Sequence, residues 1–395
     1  MTRIDRVEAF AVSLDHHYKV AGRDHRPGGF PGTPYYLEPA WAQVYSTRTM
    51  TCLLKLTDSD GRVAWGETQA PIAPAVVVTL VEDLLGPALL GRDADDPAAE
   101  RDRLAGLMAV RGHHAGFFAD AVAGLDIALW DLRARREGLP LATVLGGDVT
   151  RELPLYVSGL RRPTTAERVE RARELAAEGY RGFKMFLSGT VADMAADVRA
   201  VRDGVGADAV LMVDLLWGQA LADATALARE LEPLGVRFLE CPLRLVPVED
   251  HAVLAAATSV PVAAGEHAHT VAEAVELVRH GVRVVQPDVA RTGVTEGLRI
   301  AEAVRAAGGD VTWHVGTCSP VASAKSWAMA TTAPTDLLQE HQGDLGAADD
   351  RVVHEPLPVV DGCGRLPQVP GTGVDVDEDA VRASSTRSCD VRLPG

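Results

Sequence analysis

The sequence is short of cysteine: Cys52, Cys241, Cys318, Cys363 and Cys389 are scattered over 395 residues. An odd number without a Cys-x-x-Cys pairing implies neither a disulfide framework nor a zinc cluster, and it fits a reducing cytoplasm. No uninterrupted apolar span of membrane length occurs, and the opening MTRIDRVEAFAVSL lacks the basic, apolar and small-residue order of a secretory leader. A cytoplasmic location is therefore expected. Positive charge is scarce as well, with 39 Lys and Arg against 55 Asp and Glu, a formal charge of −16. Nucleic acid and anionic membrane would be repelled over a Debye length, so neither is expected as a partner. A local lysine or a metal can still attract a small acidic molecule. There is no low-complexity tract, and 47% hydrophobic with 24% charged residues is ordinary for a folded chain.

What is present is a change of pattern along the chain. The runs VEAFAVSL, MTCLLKLT and GRVAWGETQ are β-like, the last two joined by a DSDG turn, and they predict a small antiparallel sheet. Between the first two lies a long segment rich in Gly, Pro, His and Arg, of the kind that forms lids. Helical patterns follow at VVVTLVEDLLGPALL and at FFADAVAGLDIALWDLRARREG, the latter stopped by Gly138 and Pro140. Then come eight short apolar runs: LPLYVSG, GFKMFLS, AVLMVDLL, VRFLECPL, VPVAAGE, VRVVQPDV, DVTWHVG and DLLQEH. Amphipathic segments such as TAERVERARELAAEG separate them. Eight apolar strands alternating with helices predict an α/β fold, a (β/α)8-type barrel; an open doubly wound sheet is the alternative. The expected division is an α+β capping domain with a lid loop over 1–150, a barrel over 151–350, and a segment over 351–395 that returns to the capping domain and ends in a partly mobile stretch, ASSTRSCDVRLPG.

The sharpest signal is a spacing. Asp214, Glu240 and Glu266 stand 26 residues apart, and so do Asp288, His314 and Glu340. One βα repeat is about that long, so equal spacing places these side chains at one level, the C-terminal rim where barrel active sites lie. Three carboxylates at the ends of apolar strands are costly to bury without a cation. Their hard oxygens suit Mg²⁺, Mn²⁺ or Ca²⁺ better than Zn²⁺, and an open site favours one Mg²⁺. Asp288 and His314, on consecutive strands, read as a carboxylate orienting an acid/base imidazole. Lys184, between apolar neighbours in GFKMFLS, is expected to point into the barrel mouth and meet an anionic substrate group. Glu340 could remain protonated beside other carboxylates and donate to an oxyanion. Any one of these residues could be a helix cap, a satisfied core group or a solvated strand end; their common register argues for a site. From the loops, His16, His17, Arg23, His25 and Arg26, with His113 from RGHHAGFF, offer donors to a polyhydroxylated substrate.

These residues resemble the enolase superfamily, in its mandelate racemase-type branch, over nearly the whole chain. AVAGLDIALWDLRARREGLPLATVLGG is similar to its signature helix; VDLLW, ECPL, AAGEH, QPDVARTGVTEG and TWHVG are similar to its successive strand ends, and VPGTGVDVD to its returning tail. The resemblance implies Asp214, Glu240 and Glu266 as Mg²⁺ ligands, His314 with Asp288 as acid/base dyad, Glu340 as electrophilic donor and Lys184 as partner of the substrate carboxylate. The shared step is abstraction of the proton α to a carboxylate. Two departures stand out. The family often carries Lys-x-Lys on the second barrel strand, where this chain has Lys184-Met185-Phe186, and an Asn two residues after the first ligand, where it has Leu216. Without a second lysine base, a single histidine can still complete a syn β-elimination of water. The resemblance therefore implies an acid-sugar dehydratase making a 2-keto-3-deoxy acid. A racemase or epimerase with a loop base such as His25, or a silent binding relative, is the alternative; a muconate-type cycloisomerase fits less well for want of the lysine pair. A homo-oligomer is expected.

Overall fold

The computed structural model describes residues 2–16, 29–343 and 349–393. The chain opens with β1 (Ile4–Leu14), the hairpin of β2 (Tyr35–Glu38) and β3 (Gln43–Ser46), then β4 (Thr49–Asp58) and β5 (Val63–Thr68). Helices α1 (Ala75–Leu80) and α2 (Gly86–Leu89) follow, joined by a π-turn, then α3 (Pro97–Ala109), α4 (Gly116–Glu137) and α5 (Leu141–Val144). The hairpin and α3 are additions to the sequence reading. For α3 the signal lies in Asp96-Pro97: the Asp side chain caps the first turn by accepting from Ala99 N at 3.0 Å, and Pro occupies N1.

The capping sheet runs β16-β1-β4-β5, all antiparallel, where β16 is Ser385–Arg392. This corrects the expectation of a mobile end. The polar run STRSCDVR alternates, so Cys389 pairs with Ala9 and is buried, while Arg6 grips Asp390 through Nε and Nη2 at 2.8 and 2.7 Å. Helix α4 lies on this sheet so closely that a Cβ on Gly66 would fall 2.0 Å from Gly124 O. Glycine is required there for packing, not for a turn.

The second unit has eight parallel strands: β6 (Leu153–Ser158), β7 (Gly182–Phe186), β8 (Val210–Asp214), β9 (Val236–Glu240), β10 (Val262–Ala264), β11 (Val282–Val285), β12 (Asp310–Val311) and β13 (Gln339–His341). Between them lie α6 (Thr165–Ala177), α7 (Val191–Val205), α8 (Leu221–Leu231), α9 (Glu249–Ala257), α10 (Val271–Arg279), α11 (Val289–Ala306) and α12 (Pro320–Ala330). The ladder runs in chain order from β6 to β12, and β13 returns to β6. Among the described residues no ladder joins β12 to β13. Side chains bridge that seam instead: Thr312 Oγ1 donates to Leu338 O at 2.9 Å and Gln339 Nε2 to Trp313 O at 2.8 Å. The fold is the α/β barrel with capping domain read from the sequence. The tail makes a detour, because β14 (Val359–Val360) and β15 (Cys363–Gly364) form a hairpin on β6 before α13 (Glu378–Ser384) and β16 reach the capping sheet. No described helix is long and apolar enough to cross a membrane.

Candidate active site

The strand ends carry the chemistry because each apolar strand terminates in a polar residue at the same rim. Asp214 closes β8, Glu240 closes β9, and Glu266 sits two residues past β10. Glu240 belongs to two groups of potential ligand atoms, each within 4.8 Å of one another: Asp214, Glu240 and Cys241, and Glu240, Glu266 and His314. It therefore stands between the other two acids. Its Oε2 accepts from Gln286 Nε2 at 2.8 Å, and Asp214 Oδ1 accepts from Leu216 N at 2.9 Å. The turns after these acids are strained: Leu216, Trp217 and Cys241 take φ of 46°, 58° and 42°, and Trp217 N donates to Cys241 O at 2.6 Å. Left-handed non-glycine residues cost of order 1–3 kcal/mol each and persist where surrounding structure fixes them.

The carboxylates have a closer cation than expected. Lys184 Nζ lies 2.7 Å from both Glu240 Oε1 and Glu340 Oε1 and 3.7 Å from Asp214 Oδ2. Burial opposes its charge, but Glu240 and Glu340 outweigh burial and raise the ammonium well above its usual range. Lys184 is 1% exposed and is absent from the lining of the open cavity. Its ammonium thus faces acids. Glu340 is one of them. Its Oε2 accepts from Val315 N at 2.9 Å, and although burial disfavours its charge, Lys184 and His314 pull its carboxyl down to about 2. Its two oxygens face Lys184 Nζ and Val315 N, which favours an ionised acceptor over the protonated donor expected.

His314 and Asp288 are brought together by a parallel bridge just beyond β11 and β12. The imidazole Nδ1 lies 2.7 Å from Asp288 Oδ2, and its Nε2 lies 3.1 Å from Glu266 Oε2. Asp288 is itself held by Ala290 N, which donates to Oδ1 at 2.7 Å as the N-cap of α11. Burial lowers the imidazole's proton affinity, but Glu266, Glu340 and Asp288 raise it, to about 10.

The donor set suits a divalent ion. Five carboxylates (Asp214, Glu240, Glu266, Asp288, Glu340) crowd around Lys184 and His314. Burial and like charges push Asp214 up to about 6 and Glu240 up to about 7, against the pull of Lys184. A hard cation would relieve that repulsion. Burial, then the neighbouring acids, push the Cys241 thiol up, so a soft thiolate ligand is disfavoured.

A cavity of about 280 Å³ opens onto this floor. Asp214, Glu266 and His314 line it from the barrel, and the β2–β3 hairpin with Arg48, Thr49 and Gln69 lines it from the capping domain. Phe186, standing where a second lysine would act, lines it beneath the guanidinium of Arg161, whose carbon is 4.8 Å from the ring centre. Of the loop residues, His17, Arg23, His25 and Arg26 lie outside the described residues. His16 Nδ1 is 3.3 Å from Thr49 Oγ1, one residue removed from the cavity wall. His113 is exposed and lines a second cavity of about 190 Å³ between α3, α4 and Thr270, which shares Arg291 with the first; His113 itself does not line the first. Sequence reasoning missed Gln286, Arg48, Gln69 and Arg291. For Gln286 a signal existed, a polar residue two before Asp288 in an apolar strand.

Family models match in two parts: a mandelate racemase/muconate lactonizing enzyme N-terminal domain over residues 37–146, and an enolase C-terminal domain-like region over residues 167–380. The chain is 28% identical over 342 residues to D-galactarolactone cycloisomerase of Agrobacterium fabrum, covering 83% of this chain and 89% of that one. It is 28% identical over 384 residues to D-galactonate dehydratase of Xanthomonas oryzae, covering 92% and 95%. A solved enolase-superfamily member from Agrobacterium tumefaciens superposes with a TM-score of 0.89 at 30% identity, each chain covered fully at 100%. A mandelate racemase/muconate lactonizing protein from Paracoccus denitrificans, solved with magnesium, gives 0.80 at 27%, again with 100% of both chains covered. The chain is therefore a member of the enolase superfamily, in its mandelate racemase/muconate lactonizing enzyme branch.

Proposed function

We propose that the protein abstracts the proton α to the carboxylate of an acid sugar and expels a β-hydroxyl, giving a 2-keto-3-deoxy acid. The observation that carries this reading is the pairing of one oriented base, His314 on Asp288, with Phe186 in the position of the second. His314 takes the α-proton at Nε2. Asp288 holds the ring through Nδ1 and stabilises the imidazolium that forms. The same Nε2–H then protonates the hydroxyl leaving from that face, and the resulting enol tautomerises to the ketone. Glu340, fixed by Lys184 and Val315 N, keeps Lys184 charged beneath the reacting centre. Asp214, Glu240 and Glu266 would hold Mg²⁺, which when bound supplies positive charge to the substrate carboxylate and its enediolate. The names of the dehydratase relatives support a sugar acid as substrate.

A cycloisomerase is the second reading, favoured by the A. fabrum relative and by the apolar wall of Phe186, Leu216 and Trp217. It shares the α-proton step and differs in whether the C–O bond concerned lies in a ring. The racemase reading needs a second base, and among the described residues lining the cavity none stands at Phe186. The deciding experiment incubates wild type and His314→Asn with a sugar-acid and lactone library in D₂O, following keto-acid formation and deuterium uptake. Keto acid formed by wild type and not by the variant is expected; unimpaired turnover by His314→Asn ends the proposal.

A further inference from the structure

Two arginines line the cavity above the acidic floor, and neither is fully neutralised. Arg291 follows β11 by a few residues and its side chain is 28% exposed. Among the described residues its guanidinium makes no hydrogen bond, and its one acid within 4 Å is Asp120 at 3.7 Å. That acid is already engaged by His269 Nε2 at 2.9 Å. Arg48 is pinned at the edge of the capping sheet: Nε donates to Ser13 Oγ at 2.7 Å and Nη2 to Ser13 O at 3.1 Å. Its counter-charge, Asp15 at 3.3 Å, is 89% exposed and so strongly screened.

The place of Arg291 in the barrel separates it from Lys184, the expected partner of the reacting carboxylate. In the ring order, β7 carrying Lys184 and β11 preceding Arg291 are four strands apart, on opposite sides of eight. A substrate bridging the cavity would set its α-carboxylate near the metal-ligand floor and its other end towards the arginines. A neutral end would desolvate two guanidinium groups without a partner, which is costly; a carboxylate would match one of them in a bidentate fork.

We propose that Arg291, aided by Arg48, recognises a second carboxylate, so that the substrate is a sugar diacid or its monolactone and not a simple aldonic acid. The inference rests on the α-proton reading above and names the substrate class of the same site.

The test compares a panel of hexarates with the hexonates of matching configuration, which differ only in a carboxylate against a hydroxymethyl group at the far end. With Mg²⁺ present, wild type should favour the diacid in kcat/KM by on the order of tenfold or more, the scale of a hydrogen bond to a charged group. Arg291→Gln should lower kcat/KM for the diacid at least tenfold more than for the monoacid. Arg291→Lys should keep part of the preference, and Arg48→Gln should reduce it. Equal losses on both acids would assign Arg291 to the common α-carboxylate and overturn the proposal, as would a wild-type preference for the hexonate. Should neither acid react, the α-proton reading fails. Equilibrium binding of the same pair to wild type and Arg291→Gln then reads charge recognition alone, and a diacid bound no tighter than the monoacid overturns it.

Discussion

His314 Nδ1 lies 2.7 Å from Asp288 Oδ2, and the two residues are joined by a parallel backbone bridge, so the donor and the carboxylate that orients it share one rigid strand pair. Orientation of this kind acts on the chemical step more than on binding. Asp288→Asn is expected to lower kcat by on the order of 10³-fold, because the amide can present a donor where an acceptor is needed and so favour the wrong tautomer. KM should change far less. A variant whose loss falls wholly in KM would assign Asp288 to substrate binding instead.

Glu240 is the acid through which Asp214 and Glu266, Lys184 and Gln286 all connect. Added Mg²⁺ should raise the melting temperature of the wild type, since a ligand that binds only the folded state at a hundredfold its Kd stabilises by about 2.7 kcal/mol. Glu240→Gln should abolish that shift. It should also destabilise the metal-free protein by on the order of 3 kcal/mol, because Lys184 loses a buried partner. A Glu240→Gln melting curve that still moves with Mg²⁺ would remove Glu240 from the ligand set.

Glu67 ties the capping domain to the barrel segment that follows His314. This carboxylate from β5 is wholly buried and accepts from Thr51 Oγ1 at 2.7 Å, Ser319 N at 2.8 Å, Ser319 Oγ at 2.7 Å and Ala322 N at 3.1 Å. It thereby caps α12, five residues after His314. Glu67→Gln puts an NH₂ against one of these donors and should cost about 1–3 kcal/mol. Denaturant unfolding measures that cost, and kcat should fall with it as the loop after β12 loosens. Unchanged stability would show that the four bonds are not made in solution.

Much of this was legible because the barrel repeats. Equal spacing of Asp214, Glu240 and Glu266, and of Asp288, His314 and Glu340, reports register directly, since each repeat returns the chain to the same rim. What each side chain faces there was not legible. Lys184 reads as a cation at the mouth, but only the closure of β13 onto β6 puts Glu340 beside it, and that contact favours an ionised carboxylate where a protonated donor is expected. The last stretch, ASSTRSCDVRLPG, reads as partly mobile because it is terminal; Ser385–Arg392 is ordered by pairing with β1, more than 370 residues earlier in sequence. Arg291 and Arg48 come from different units, so nothing local relates them.

Asp126 offers a pH test independent of the catalytic floor. It lies on α4, fully buried, with Oδ1 accepting from Thr295 Oγ1 at 2.6 Å and Oδ2 from Thr295 N at 2.8 Å. Burial pushes its carboxyl up to about 6 from 3.8, the hydrogen bonds from Thr295 offsetting only part of the cost. The folded chain therefore binds this proton more tightly than the unfolded chain. The contribution is most favourable below about 4 and is lost as pH rises through about 6, a difference of about 3 kcal/mol. Asp126→Asn cannot ionise, so its stability relative to wild type should increase between pH 4.5 and 7.5. Unfolding midpoints of the two proteins across that window measure the divergence, and parallel curves would mean that Asp126 is ionised throughout, with water or Arg101 sustaining its charge.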